Sequence, residues 1–153
     1  MDKLTEMLCS AQLLVIDEVS TLGAAPFEIV CRRLEQVGKV LWRERHGRPP
    51  PDSLGGFGGI GVLLIGDVAQ LPPVLSSSLL AEAPLQDGKS VGLRSLALAG
   101  RETFHTFKQV VRLRRVHRLP GVDRYKESTQ RVRDAVMTVE DRDLWKTHEL
   151  QSL

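Results

Sequence analysis

Two short apolar runs, each closed by acidic residues, constrain the fold of this chain more than any other feature. Leu13-Leu14-Val15-Ile16 runs into Asp17-Glu18, and Val62-Leu63-Leu64-Ile65 runs into Gly66-Asp67, with Gln70-Leu71-Pro72-Pro73 just beyond. A strand of a parallel sheet is apolar throughout because helices cover both of its faces, and its first polar residues mark where it leaves the sheet at its carboxyl end. Ligands of open α/β sheets collect along that edge. A single apolar run followed by an acid describes any buried strand with a solvated end. Two such runs, the second followed by Gly, Gln and a proline pair, form a much more specific joint pattern. Gly66 permits a tight exit, Gln70 offers both a donor and an acceptor, and Pro72 and Pro73 stiffen the next segment into an extended path. The expectation is an α/β fold in which both acidic tips project from neighbouring strands into one hollow.

The remaining elements follow from periodicity and punctuation. Lys3 to Cys9 reads as a short helix entering the first strand, Leu13 to Ile16. From Ala25 to Arg45, Phe27, Val30, Leu34, Val37 and Leu41 recur at spacings of three and four, the pattern of a helix that covers a sheet. Gly47 to Gly59 is a loop and Gly61 to Ile65 the second strand. A short helix is expected over Leu93 to Ala99, and a third strand over Phe107 to Leu113. Beyond Pro120-Gly121, the residues Val122, Tyr125, Thr129, Val132, Val136 and Val139 again step by three and four, with Arg124, Lys126, Arg131 and Arg133 largely off that stripe. Thr138 with Asp141 resembles a capping box that opens a last helix, Val139 to His148. Gly56-Phe57-Gly58-Gly59-Ile60-Gly61 satisfies G-x-G-x-x-G, but a dinucleotide site needs a strand before that motif and a helix after it. A proline-rich loop precedes it here and a strand follows, which excludes it as a cofactor site.

Composition is compatible with such a core. The 153 residues suffice for one domain of the usual size of about 100–200 residues, and aromatics make up 5% of the chain, so the core is mostly aliphatic. Cys9 and Cys31 have neither C-x-x-C nor Cys/His spacing, which argues against a disulfide scaffold or a zinc site. No basic start is followed by a long apolar run, and no stretch approaches a membrane span. A soluble intracellular protein is expected, in the nucleus or mitochondrion if eukaryotic. The net charge of +2 is unevenly spread: Arg101 to Arg133 holds ten Lys/Arg against Glu102, Asp123 and Glu127, a local excess of +7 that leaves the rest at −5. Such a cluster attracts phosphate backbones irrespective of base sequence, although any single Arg is equally well read as a solvated helix face. Lys39, Arg43, Arg45, His46 and Arg48 form a second basic group, without the aromatic platforms that would argue for base stacking.

At the strand ends the residues resemble a known family. Leu14-Val15-Ile16-Asp17-Glu18-Val19-Ser20 resembles the Walker B motif, and Gly66-Asp67-Val68-Ala69-Gln70-Leu71-Pro72-Pro73-Val74 resembles motif III, of the Pif-one-like DNA helicases of superfamily one. Leu113-Arg114-Arg115-Val116-His117-Arg118 resembles motif IV, although Leu119 stands where the family usually has Gln. The resemblance covers roughly residues 10 to 145. It implies a partial RecA-like P-loop NTPase lobe over residues 1–119, with a parallel sheet flanked by helices and lacking the phosphate-loop strand, and a helical extension over 120–153.

It also implies roles. Asp17 would hold the magnesium of MgATP through water, with Asp67 supporting that corner, and Glu18 would act as general base toward the attacking water. Gln70 would sense the γ-phosphate, and Arg118 would stabilise charge on the transferred group. Pro72, Pro73, Arg112, Arg114 and Arg115 would meet single-stranded DNA. The implied activity is ATP-driven 5′-to-3′ DNA unwinding in repair, recombination or telomere maintenance. The chain holds no G-x-x-x-x-G-K-[ST] segment, the loop whose backbone N–H groups and Lys cradle phosphates. Two readings therefore stand: a fragment of such a motor, inactive alone, and a non-catalytic remnant that binds nucleic acid or protein. A sheet without its phosphate-loop strand would also expose unpaired backbone, or pair its second and third strands directly.

Overall fold

The structure, a computed structural model, describes residues 3–52, 54–80, 91–113 and 123–146. The chain forms two compact units, Met1–Gln109 and Val110–Leu153.

In the first unit, helix α1 (Lys3–Leu8) leads into strand β1 (Leu13–Ile16). A 3-10 turn (Val19–Thr21) and helix α2 (Ala24–His46) follow, then strand β2 (Gly61–Leu64) and helix α3 (Val91–Phe104). The two strands pair in parallel with Leu13 opposite Gly61 and Ile16 opposite Leu64, so β1, α2 and β2 form one βαβ unit. Helix α2 forms where its apolar spacing directs: Phe27, Cys31, Leu34 and Val37 are buried along one stripe. It stops at Gly47, whose left-handed φ of 62° lets its N–H donate to the Arg43 carbonyl. Helix α3 crosses α2 closely because Gly100 has no side chain; a Cβ there would collide with the Ala24 carbonyl oxygen. At that crossing the buried Glu28 carboxylate accepts from Arg32 Nε at 2.7 Å and from Thr103 Oγ1 at 3.1 Å.

The core gathers Val19, Ala24, Ala25, Phe27, Cys31, Leu79 and Ala97, with Ile16 and Leu64 packed against it from the sheet. Among the described residues, therefore, one sheet face is covered. Leu13, Val15, Leu63 and Ile65, on the opposite face, are 57%, 48%, 46% and 43% exposed, which corrects the expectation of strands buried on both sides. The expected third strand is absent as well. Residues 107–113 have no ladder partner among the described residues, and Val110, Val111 and Leu113 stand exposed. β-branched residues favour a strand only where a neighbouring strand supplies the ladder. Helix α3 is longer than the short helix expected over Leu93 to Ala99.

The second unit is a helical hairpin, α4 (Asp123–Arg133) and α5 (Val139–Lys146). The expected continuous stripe to Val139 breaks at Ala135, which turns the chain with a φ of 57°. Thr138 and Asp141 bond reciprocally: the Asp141 N–H donates to Thr138 Oγ1 at 3.1 Å, and the Thr138 N–H donates to Asp141 Oδ2 at 2.9 Å. Arg131 clamps the same carboxylate through Nε at 2.8 Å and a terminal nitrogen at 2.6 Å. The Arg131 guanidinium and, after it, the Thr138 N–H hold the Asp141 carboxyl well below the usual carboxylate range. Trp145 stacks on Tyr125 with centroids 5.1 Å apart, and its indole N–H donates to Ser128 Oγ at 3.1 Å.

Candidate functional site

Because β1 and β2 are parallel, their carboxyl ends lie on the same side of the sheet. The two exits are tied together: Ile65 N–H donates to the Ile16 carbonyl at 2.8 Å, and Val19 N–H to the Ile65 carbonyl at 2.9 Å. Gly66 lets them approach this closely, since a Cβ there would sit 2.8 Å from Val19 N and 3.0 Å from Val19 Cγ1.

At the first exit Glu18 adopts a left-handed conformation, φ 53° and ψ 43°. A non-glycine residue held there costs on the order of 1–3 kcal/mol and persists only where its surroundings impose it. Three contacts do so. The Glu18 N–H donates to Asp17 Oδ1 at 2.8 Å, and the Glu18 carbonyl accepts from Thr21 Oγ1 at 2.9 Å and from the Thr21 N–H at 3.0 Å. At the second exit Asp67 organises a tight turn: its Oδ1 accepts from the Ala69 N–H and its carbonyl from the Gln70 N–H, both at 3.0 Å.

Between these turns lies a cleft of about 560 Å³, lined by Glu18, Thr21, Ala69, Gln70, Leu71 and Pro72. Glu18 and Gln70, predicted from separate motifs, thus face one hollow, and neither side chain has a hydrogen-bond partner among the described residues. Asp17 and Asp67 do not line the cleft; each braces its own turn. Pro72 lines the cleft and Pro73 is half-buried beside it in sequence. Arg112 is exposed and belongs to the second unit, while Arg114, Arg115 and Arg118 lie outside the described residues. Thr21 and Leu71 were not anticipated. The strand-exit pattern points to carboxylates, and nothing in it announces the 3-10 turn that brings Thr21 round to Glu18.

The donor set decides what this cleft can hold. Magnesium is usually bound by one or two carboxylates completed by waters and phosphate oxygens. Asp17, next to Glu18 in sequence but not in the lining, has one carboxylate oxygen that could serve: its Oδ1 is engaged by the Glu18 N–H, and its Oδ2 has no partner among the described residues. Among the described residues no group of three or more His, Cys, Asp or Glu forms an all-protein metal cage. Among the described residues no Lys or Arg lines the cleft to meet a polyphosphate. A near-match to the phosphate-loop pattern does occur: Ala83-Pro84-Leu85-Gln86-Asp87-Gly88-Lys89-Ser90, with Ala for the first glycine, immediately before α3. It follows β2 in sequence instead of preceding β1, and it falls outside the described residues.

No family model matches the sequence, and no curated protein matches it. Among solved structures, the chain is similar to Pif1 helicase from Bacteroides in complex with ADP-AlF3 and ssDNA, with a TM-score of 0.65 at 20% identity, over 100% of this chain and 32% of that one. That likeness shows the fold. The α/β unit, a two-stranded parallel sheet with flanking helices, has the fold of part of that helicase, and the chain spans about a third of the length of the helicase it matches. No helix among the described residues is long and apolar enough to cross a membrane.

Proposed function

We propose that this chain is the Walker B and motif III portion of an ATP-dependent DNA motor. The observation that carries this reading is the shared cleft: an unpartnered carboxylate, Glu18, and an unpartnered amide, Gln70, at the carboxyl edge of a parallel sheet. Phosphoryl transfer needs a carboxylate to orient or deprotonate water and a polar group that detects the terminal phosphate. Asp17 would hold magnesium, which would supply charge neutralisation to the phosphates. Arg118 stabilises the transferred group, and Pro72, Pro73 and the arginines Arg112, Arg114 and Arg115 contact single-stranded DNA. The structural neighbour was solved with ADP-AlF3 and ssDNA, and both ligand classes fit this assignment. Translocation 5′ to 3′, and service in repair, recombination or telomere maintenance, belong to the same reading.

A second reading has its own observation. Among the described residues no cationic side chain lines the cleft, which suits a non-catalytic module that keeps the fold and the basic surface but holds ATP poorly. A fluorescent ATP analogue titrated with magnesium separates the two. Magnesium-dependent binding that weakens at least about tenfold, or about 1.4 kcal/mol, in Asp17→Ala supports the motor portion. Absence of binding, or binding indifferent to magnesium and to Asp17, leaves the interaction module.

A further inference from the structure

A second cleft lies at the opposite end of the sheet. Ala11, just before β1, and Ile60, just before β2, both line it, so it sits at the amino ends of the strands. Its volume is about 330 Å³, at the lower end of the roughly 300–1,000 Å³ found for small-molecule clefts. One wall is a stripe of α2, with Leu41, Trp42, Arg45 and His46 at the three- and four-residue spacings that share a helix face. Leu54 and Ile60 form part of the facing wall. The loop carrying them lies against α2 because a Cβ on Gly38 would collide with the Gly58 carbonyl oxygen.

The interior is apolar and aromatic, and Arg45 is the cation among its described lining residues, with Arg43 and Arg48 near it in sequence. Trp42 and His46 stack with centroids 3.9 Å apart and planes at 22°, an aromatic platform inside the basic group where the sequence had suggested none. The Trp42 indole N–H is buried without an acceptor among the described residues. Arg43, Arg45 and Arg48 are exposed and have no ion-pair partner among the described residues. A helix C-terminus carries only roughly half a negative charge, so one of these cations satisfies it and the others remain in excess. Glu44 offsets one more from a position off the cleft stripe. An acidic peptide would use the cations but not the enclosed aromatic interior. A ring bearing a phosphate uses both.

We propose that this cleft binds a nucleotide, with the base beside Trp42 and the phosphate at Arg45 and His46. The contact is not that of the dinucleotide fingerprint, since the loop supplies a wall and not a helix N-terminus. It is also independent of any role for the Glu18–Gln70 cleft. A free mononucleotide and one nucleotide of a single strand present the same chemistry.

The chain has two tryptophans, so Trp145→Phe leaves Trp42 as the sole indole reporter. In that background, Trp42 emission is titrated with AMP, with a short oligothymidylate and with inorganic phosphate. Saturable quenching is expected with AMP or the oligonucleotide, weakened at least about tenfold by Arg45→Glu, retained in Arg45→Lys and reduced by salt. AMP alone acting identifies a free nucleotide, and the oligonucleotide alone acting identifies a strand. No quenching by either overturns the proposal. So does equal quenching by inorganic phosphate, or a response that Arg45→Glu leaves intact.

Discussion

Gly66→Ala should uncouple the two strand exits, and its magnitude can be worked from the geometry. The new methyl would sit 2.8 Å from Val19 N and 3.0 Å from Val19 Cγ1, closer than van der Waals contact allows. Val19 must retreat, which strains the 2.9 Å bond from its N–H to the Ile65 carbonyl. Overpacking of this kind costs about 1–3 kcal/mol. The weakened hydrogen bond adds about 0.5–1.5 kcal/mol. Against these stands a gain of about 0.4–1 kcal/mol, because alanine restricts the unfolded chain more than glycine does. The balance is a destabilisation of about 0.5–4 kcal/mol, centred near about 2 kcal/mol. Gly56→Ala is the matched control: a Cβ there meets nothing within 4 Å, so only the unfolded-state term acts and the sign reverses. Urea unfolding followed by Trp42 emission in the Trp145→Phe background reports on the first unit alone. With an m-value of about 1–3 kcal/mol/M, the Gly66→Ala midpoint should fall by about 1 M while that of Gly56→Ala holds or rises. Equal shifts in the same direction would refute the claim that Gly66 is a point of forced approach between the strand exits.

Other consequences are as direct. Glu18→Gly should be more stable than Glu18→Ala by about 1–2 kcal/mol, because glycine alone adopts the left-handed conformation of that residue without strain; coincident urea midpoints would show that Glu18 is not held there. The depressed Asp141 carboxyl contributes stability to the helical hairpin that is fully present above its unfolded value near pH 4 and fades as pH falls toward the lower folded value. In a Trp42→Phe background, Trp145 emission during urea unfolding should therefore lose midpoint below about pH 4, and Asp141→Asn should flatten that dependence. A wild-type midpoint that rises on acidification would reverse the assignment. Burial pushes the Cys31 thiol up to about 12, with Glu28 adding to the effect, whereas Cys9 is exposed. One thiol per native chain should react with a disulfide reagent at mildly alkaline pH and two after denaturation; two fast native thiols would contradict the packing of α2.

The strands and the long helix were legible because each rests on local chemistry. Leu13 to Ile16 forms β1 where the apolar run stands, and the parallel pairing that follows from the βαβ order is enough to bring Glu18 and Gln70 to one edge. The capping box was legible for the same reason, since Thr138 and Asp141 need only each other. One failure depended on partners far away in sequence: residues 107–113 carry strand-forming side chains, yet among the described residues no neighbouring ladder stabilises them. The Trp42–His46 stack escaped notice because a tryptophan at helical spacing reads as core, and its pairing with a histidine four residues on emerges only once α2 is wound.

The mismatch at the sheet says more. A two-stranded sheet with one face in water gains from alternating apolar and polar residues, and would carry polar side chains at 13, 15, 63 and 65. Those positions hold Leu, Val, Leu and Ile, each more than two-fifths exposed. No local preference requires four large aliphatic residues there, because strand propensity is met equally well by threonine. The pattern therefore encodes a sheet covered on both faces, although the described residues cover one. Placed on that frame, the Glu18–Gln70 cleft has the same character. Its Glu18 and Gln70 side chains are unpartnered among the described residues, and none of the described cations lines it. Among the described residues the two features meet at one sheet, an apolar face with no covering helix and, at its carboxyl edge, an acidic cleft with no cation in its lining.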